Sequence, residues 1–161
     1  MKTIIISGSS RKSGNTNIVT NELSSLLNCE VIHLCDYRIE HYDYEYKNKD
    51  DDFLKLITEL ISDYDTFIFA TPVYWYSMSG ILKVFFDRFT DLITIEKELG
   101  RKLRGKNMAV ITSSTGGNSG DQFWAPFKAM ADYLNINYKG NIHTIAETNN
   151  TSAIEDFTKL L

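Results

Sequence analysis

A polar segment near the amino terminus, Gly8 to Asn17, has the composition of an anion-binding loop. It lies between an isoleucine-rich run and a segment whose apolar residues have helical spacing. The first N–H groups of a helix lack partners within the helix and carry partial positive charge, so an anion is stabilised there. Arg11 can add a charge-assisted hydrogen bond to a phosphate. Further hydroxyl and amide donors are supplied by Ser9, Ser13, Thr16 and Asn17.

Two known phosphate loops do not fit this spacing. A nucleotide P-loop has four residues between its glycines and then a lysine. Here five residues separate Gly8 from Gly14, and Asn15 stands where that lysine should be. The dinucleotide fingerprint Gly-x-Gly-x-x-Gly is also not met. The alternative is an ordinary serine-rich capping turn with a solvated Arg11 and Lys12.

Two further segments follow predicted strands. Thr71 to Gly80 contains the aromatic residues Tyr74, Trp75 and Tyr76, which suit a planar amphipathic ligand. Alternatively, these rings plug the end of the sheet or pack on a second subunit. Ser113 to Gly120 is rich in serine and glycine and can bring backbone donors to a ligand edge where negative charge develops. Such stretches also commonly only turn the chain.

The elements that must position these segments alternate along the chain. Apolar stripes with helical spacing lie between short apolar runs. One stripe consists of Val19, Leu23, Leu26 and Leu27, and another of Phe53, Leu56, Ile57, Leu60 and Ile61. Strict alternation predicts right-handed crossovers and a parallel sheet covered on both faces. Five strands and five helices fit the doubly wound order 2-1-3-4-5, whose ligand crevice lies beyond the carboxyl ends of the central strands. The predicted strands are Thr3 to Ser7, Glu30 to Leu34, Thr66 to Ala70, Met108 to Thr112 and Asn137 to Ile145.

One predicted helix, Gly80 to Ile93, carries apolar residues around more of its circumference than one core-facing stripe needs. It is either a deeper central helix or part of a homodimer interface.

Composition narrows the class of protein. The 161 residues predict one domain over 1–161, and 43% hydrophobic content is ample for its core. A net charge of -4 gives no basic stripe for nucleic acid or an anionic membrane. The amino-terminal apolar run is too short for a signal peptide, and no run approaches the roughly 20 apolar residues of a membrane span. We therefore expect a soluble, cytoplasmic protein.

Cysteine and histidine give no sign of a metal site. The only cysteines, Cys29 and Cys35, are too few for a disulfide framework or a four-thiolate centre, so a structural role is favoured. His33, His41 and His143 lack metal-ligand spacing and are interpreted as surface or structural residues.

Together, three groups of motifs resemble the flavodoxin-like NAD(P)H-dependent FMN reductases, over nearly the whole chain. They are Gly8-Ser9-Ser10-Arg11 with Gly14-Asn15-Thr16; Thr71-Pro72-Val73-Tyr74-Trp75-Tyr76 with Leu82-Lys83 and Asp87-Arg88; and Ser114-Thr115-Gly116-Gly117. The resemblance implies a flavodoxin-like fold, bound FMN and a homodimer.

The resemblance also assigns site residues, none of them catalytic or metal-binding. The FMN phosphate would be held by Ser9, Arg11, Ser13, Asn15, Thr16 and Asn17. The isoalloxazine would be edged by Pro72, Val73, Tyr74, Trp75 and Tyr76, with Ser114, Thr115, Gly116 and Gly117 on its other side. Lys83, Asp87 and Arg88 are assigned a structural role.

The implied activity is transfer of electrons from NADH or NADPH, through FMN, to a small acceptor such as a quinone, an azo or nitro compound, or free flavin. The alternative is a flavodoxin-type electron carrier without its own NAD(P)H turnover, although carriers tend to be more acidic and to have aromatic walls on both sides of the ring. A third class is a regulatory protein that kept the fold and lost the flavin.

The region after the second predicted strand departs from one branch of the family. Iron-sulfur relatives carry a cysteine cluster there, whereas this chain reads Cys35-Asp36-Tyr37-Arg38, so we expect no cluster. The tyrosine-rich stretch from Tyr37 to Lys49 is interpreted as a cap on the substrate side, a subunit contact or a solvated loop.

Overall fold

The computed structural model of the chain describes residues 1–116 and 120–161, which include a five-stranded sheet. The strands are β1 (Thr3–Ser7), β2 (Glu30–His33), β3 (Thr66–Pro72), β4 (Asn107–Ser114) and β5 (Asn137–Ile145). All neighbours are parallel, and the order β2-β1-β3-β4-β5 confirms the predicted flavodoxin-like topology. β3 and β4 run farther than predicted, so Pro72 and Ser114 end strands rather than belong to loops.

Helices cover both faces of this sheet. They are α1 (Asn15–Leu27), α2 (Asp52–Asp63), α3 (Gly80–Asp87), α4 (Phe89–Thr94), α5 (Lys97–Arg101), α6 (Asp121–Leu134) and α7 (Thr151–Thr158). α1 and α7 pack over one face, while α2, α3, α4 and α6 pack over the other. Within the described residues no helix is long and apolar enough to cross a membrane.

Apolar spacing predicted the α2 face well and the α1 face in part. All five predicted α2 residues are buried: Phe53, Leu56, Ile57, Leu60 and Ile61. On α1, Val19 and Leu23 are buried, whereas Leu26 is 47% exposed. Leu27 is partly buried against the same core, so Leu26 is the residue of this stripe that the sheet does not cover.

The prediction of one helix from Gly80 to Ile93 was wrong, because the helix is interrupted at Arg88, which lies between α3 and α4. The described residues accordingly contain seven α-helices rather than five. The Arg88 side chain, 1% exposed, bonds through Nε to Asp91 at 2.9 Å and through Nη1 to Asp51. A buried cation needs such partners because burial without them is costly. The assigned structural role of Arg88 agrees with these contacts.

Arg88 also anchors the tyrosine-rich stretch. Its guanidinium donates to the carbonyl oxygens of Glu40 at 3.1 Å and Asn48 at 3.2 Å. This stretch lies beside α3, where Ile39 and Tyr37 form a groove with Ile81 and Val84. The wide apolar surface of the predicted helix is therefore partly covered by the chain's own residues.

Candidate functional site

Three segments meet in one cleft beyond the carboxyl ends of β1, β3 and β4. Parallel strands all end at the same edge of the sheet, so the segments that follow neighbouring strands are brought together there. The first segment contributes Ser9, Arg11, Gly14, Asn15 and Thr16; the second contributes Pro72, Val73 and Tyr74; the third contributes Ser113, Ser114 and Thr115.

The α1 helix begins at this cleft without a side-chain cap. Its N-cap residue, Gly14, has extended backbone angles, and no side chain accepts from the first turn. The N–H groups of Asn17 and Ile18 both donate to the Gly14 carbonyl. In the described parts of the chain, the N–H groups of Asn15 and Thr16 donate to no protein group. Two unpaired donors and the positive end of a helix dipole therefore lie at the cleft.

Arg11 supplies a cation beside these donors. An ideal Cβ built on Gly14 would lie 3.8 Å from both Nε and Nη2 of Arg11, so the guanidinium lies over the helix start. Among the described residues no carboxylate pairs with it. The neighbouring Lys12 differs, because its ammonium bonds Asp36 at 2.6 Å, which raises the pKa of Lys12.

Ser9 fixes the loop from within. Its buried hydroxyl donates to the Arg11 carbonyl at 2.9 Å and accepts from the Arg11 N–H at 3.3 Å. The proton of this hydroxyl is thus used by the turn rather than left free for a ligand. Ser13 and Asn17 are not among the residues that line the cleft.

A buried serine that is not among the site residues assigned from the resemblance also lines the cleft. Ser113, the residue before the predicted group at Ser114, is buried, and its hydroxyl has no partner in the described residues. Asn17 Oδ1 is likewise buried without a partner. Buried polar atoms are usually hydrogen-bonded, so both call for a water or ligand. The predicted strand ended at Thr112, whereas β4 continues to Ser114, so Ser113 lies near a strand end at the cleft.

The aromatic residues form a tight, strained turn. Tyr74 and Ser77 exchange backbone hydrogen bonds of 2.9 and 3.0 Å, and between them Trp75 (φ 49°) and Tyr76 (φ 61°) are left-handed. Asparagine and glycine are usual there, and a bulky residue in this region costs of order 1–3 kcal/mol. Trp75 is 95% and Tyr76 77% exposed, so neither plugs the sheet end. Only Tyr74 of the three lines the cleft.

One junction joins the first and second segments. The Ser79 hydroxyl, which caps α3 by accepting from the Leu82 N–H, donates to the Gly8 carbonyl at 2.6 Å. The Gly8 N–H donates to Ala70 at 2.8 Å. A Cβ at Gly8 would lie 2.7 Å from the Leu82 Cβ, closer than real Cβ atoms approach. Glycine is therefore required at position 8 by this packing.

The third segment is connected to β5 by a histidine. The Ser114 hydroxyl donates to the Gly116 carbonyl at 2.8 Å, and His143 Nε2 lies 3.1 Å from that oxygen. Ser114 and Thr115 line the cleft, whereas Gly116 does not, and the predicted site residue Gly117 lies outside the described residues. His143 was interpreted from the sequence as a surface or structural residue.

Comparison with known proteins identifies a family. The model described as NADPH-dependent FMN reductase matches residues 1–146. The chain is 27% identical over 154 residues to "Putative NAD(P)H-dependent FMN-containing oxidoreductase YwqN" of Bacillus subtilis, covering 88% of this chain and 83% of that protein. It is 30% identical over 83 residues to a Bacillus NADPH azoreductase, covering 52% and 47%.

A solved structure shares the fold at lower identity. The FMN-dependent NADH-azoreductase from Bacillus anthracis in complex with FMN superposes with a TM-score of 0.64 at 16% identity, covering 99% of this chain and 96% of that one. At this identity the likeness shows the common fold.

The junction at Gly8 can be tested by adding one methyl group. We expect Gly8→Ala to lower the free energy of unfolding by about 1–3 kcal/mol, because the new Cβ overpacks against Leu82. Gly80→Ala is the matched control, since a Cβ there meets nothing within 4 Å. Urea unfolding of both variants measures the difference. Equal stability of the two would contradict the close packing at Gly8.

Proposed function

The chain belongs to the NADPH-dependent FMN reductase family, and on this premise we propose that it binds FMN in the cleft and passes electrons from NADPH or NADH to a small organic acceptor. The observation that supports this most directly is the uncapped start of α1 beside the unpaired Arg11. The YwqN relative is named as FMN-containing and NAD(P)H-dependent.

The cleft fits the phosphate end of FMN. A fully ionised phosphate accepts hydrogen bonds and cannot donate them. The cleft offers it the N–H groups of Asn15 and Thr16 and the Arg11 guanidinium. None of the described cleft-lining residues carries a carboxylate that would repel it. In this proposal the side chains of Ser13 and Asn17 contribute less than the resemblance implies, because they do not line the cleft.

The rest of the cleft fits a flat ring system. Pro72, Val73 and Tyr74 form one wall, and Ser113, Ser114 and Thr115 form the other. Bound FMN supplies the hydride chemistry; the protein binds, orients and electrostatically tunes it. In this proposal Trp75 and Tyr76 contact the flavin ring next to the cleft rather than inside it, because both side chains are exposed.

Acceptors of the quinone, azo, nitro or flavin type fit this cleft best. Each is a planar molecule that can lie against a flavin at an open edge of the sheet. The related Bacillus azoreductase is named for an acceptor of this class.

We also propose that the protein forms a homodimer through the turn at Trp75 and Tyr76. Two exposed aromatic side chains on a strained backbone persist only where the surroundings favour that geometry. Burying such rings stabilises an interface by about 1.5–3 kcal/mol each. A second copy of the chain, rather than another protein, is the occupant because the resemblance implies a homodimer.

Arg11→Ala should weaken FMN binding about tenfold while leaving riboflavin binding within about twofold, because only FMN carries the phosphate. Fluorescence titration of the flavin-free protein measures both Kd values. Lys12→Ala is the matched control, since Lys12 is paired with Asp36 and should have a smaller effect. Equal losses for FMN and riboflavin in Arg11→Ala would contradict the phosphate role.

Turnover tests the reaction itself. After incubation with FMN and desalting, the protein should stay yellow and oxidise NADPH or NADH when a quinone or azo compound is added. The measurement is the loss of reduced-nicotinamide absorbance. A yellow protein without nicotinamide oxidation would instead be an electron carrier, and a colourless protein would favour the regulatory class.

The dimer is tested by light scattering across a dilution series. Wild-type protein should show twice the monomer mass, and Trp75→Ser should raise the dimer dissociation constant at least tenfold, since about 1.4 kcal/mol corresponds to tenfold. Tyr133→Ser, which removes an exposed ring from α6, serves as the control and should not change association. Monomeric wild-type protein at high concentration would rule the dimer out.

A further inference from the structure

The ends of β4 and β5 carry a cluster of polar groups that the proposed function has not used. His143 Nε2 lies 3.1 Å from the Gly116 carbonyl oxygen and 3.2 Å from Ser114 Oγ. The Ser114 hydroxyl donates to the same carbonyl at 2.8 Å. His143 lies on β5 opposite Thr112 of β4, and the pairing of the two strands continues to Ser114 and Ile145, so the contact joins neighbouring strands near the end of their pairing.

These distances define the tautomer of His143. A carbonyl oxygen only accepts hydrogen bonds, so the ring nitrogen beside it must carry a proton, which places the proton on Nε2. Because the Ser114 hydroxyl gives its own proton to Gly116, its oxygen is free to accept from the same Nε2–H. Nδ1 is buried and has no partner in the described part of the chain.

The hydrogen bonds from Ser114 and His143 to the Gly116 carbonyl, called the clamp below, hold a residue that has few other contacts within the described chain. An ideal Cβ on Gly116 would meet no atom within 4 Å, and β4 has already ended at Ser114. In the described residues, the contacts recorded for its carbonyl are those with Ser114 and His143. Ser114 and Thr115, immediately before it, line the cleft.

We propose that His143 is a positioning residue, which holds the Gly116 carbonyl and so fixes the backbone of Thr115 and Gly116 against the ring end of the flavin site. The inference rests on the proposed FMN binding. Its physical basis is preorganisation: backbone N–H donors bind a ligand edge more tightly when their orientation is fixed before binding. His143 acts through Gly116 and is assigned no contact with the flavin.

The position of the clamp predicts which part of the flavin is affected. His143→Ala should raise the Kd values of FMN and riboflavin by the same factor, about fivefold to tenfold, because one hydrogen bond is lost and the phosphate end is untouched. Arg11→Ala changes the ratio of the two Kd values, so it serves as the contrasting variant. The reduction potential of bound FMN should also fall, since donors at the ring edge favour the reduced, more negative flavin.

His143→Gln is the conservative variant, because its amide can donate from nearly the same position as Nε2–H. We expect it to restore both Kd values to within about twofold of wild type. Urea unfolding establishes that both variants are folded. A His143→Gln protein as weak as His143→Ala would contradict a donor role, and unchanged binding in His143→Ala would contradict the positioning role.

Two measurements on the flavin-free protein separate this inference from the proposed function. Nitrogen NMR of the His143 ring should show the Nε2–H tautomer, and the carbonyl-carbon chemical shift of Gly116 should change in His143→Ala, because a hydrogen bond to that oxygen is lost. If wild-type protein binds neither flavin, the proposed function fails, while these measurements still decide whether the clamp exists. An Nδ1–H tautomer would overturn the clamp.

Discussion

The hydrogen bond from the Ser79 hydroxyl to the Gly8 carbonyl is the contact on which the cleft depends. It joins the segment after β1 to the start of α3, and the same hydroxyl caps α3 at the Leu82 N–H. Thr71 of β3 accepts from the Ser79 N–H, so the junction is also tied to the sheet. Because Gly8 lacks a side chain, Leu82 can approach it, and the segment after β1 packs closely against the start of α3.

Among the described residues, the start of α1 shares the lack of a capping side chain with α4, α5, α6 and α7, but it lies at the cleft beside Arg11. α2 is capped by Asp51 and α3 by Ser79, and each of these side chains accepts a hydrogen bond from an N–H of its own helix. The residue in the same position before α1 is Gly14, which has no side chain to do so. A capping side chain typically adds about 1 kcal/mol. It is the combination of unpaired N–H donors with an unpaired arginine at the cleft that an anion site requires.

The sequence predicted the elements whose signal is local. The strand order followed from the alternation of apolar runs, and the α2 face followed from helical spacing, because both patterns repeat over a few residues. The break at Arg88 could not be predicted in this way, since helical apolar spacing continues through Phe89 and Leu92. Apart from Asp91, the described partners of Arg88 lie 37 to 48 residues away along the chain. The left-handed backbone at Trp75 also went undetected, because aromatic residues rarely occupy it.

The two ends of the cleft are built on different physical principles. At the proposed phosphate end the donors are two backbone N–H groups and the Arg11 guanidinium, so binding there is expected to depend on where α1 starts as well as on that side chain. At the proposed ring end the walls are Pro72, Val73 and Tyr74 on one side and Ser113, Ser114 and Thr115 on the other, and His143 contacts Ser114 from outside the cleft. Substitution in these walls can therefore alter the surroundings of a ring while the phosphate cradle is unchanged. Selectivity for the electron acceptor is accordingly expected to reside in the walls, and affinity for the nucleotide in the helix start.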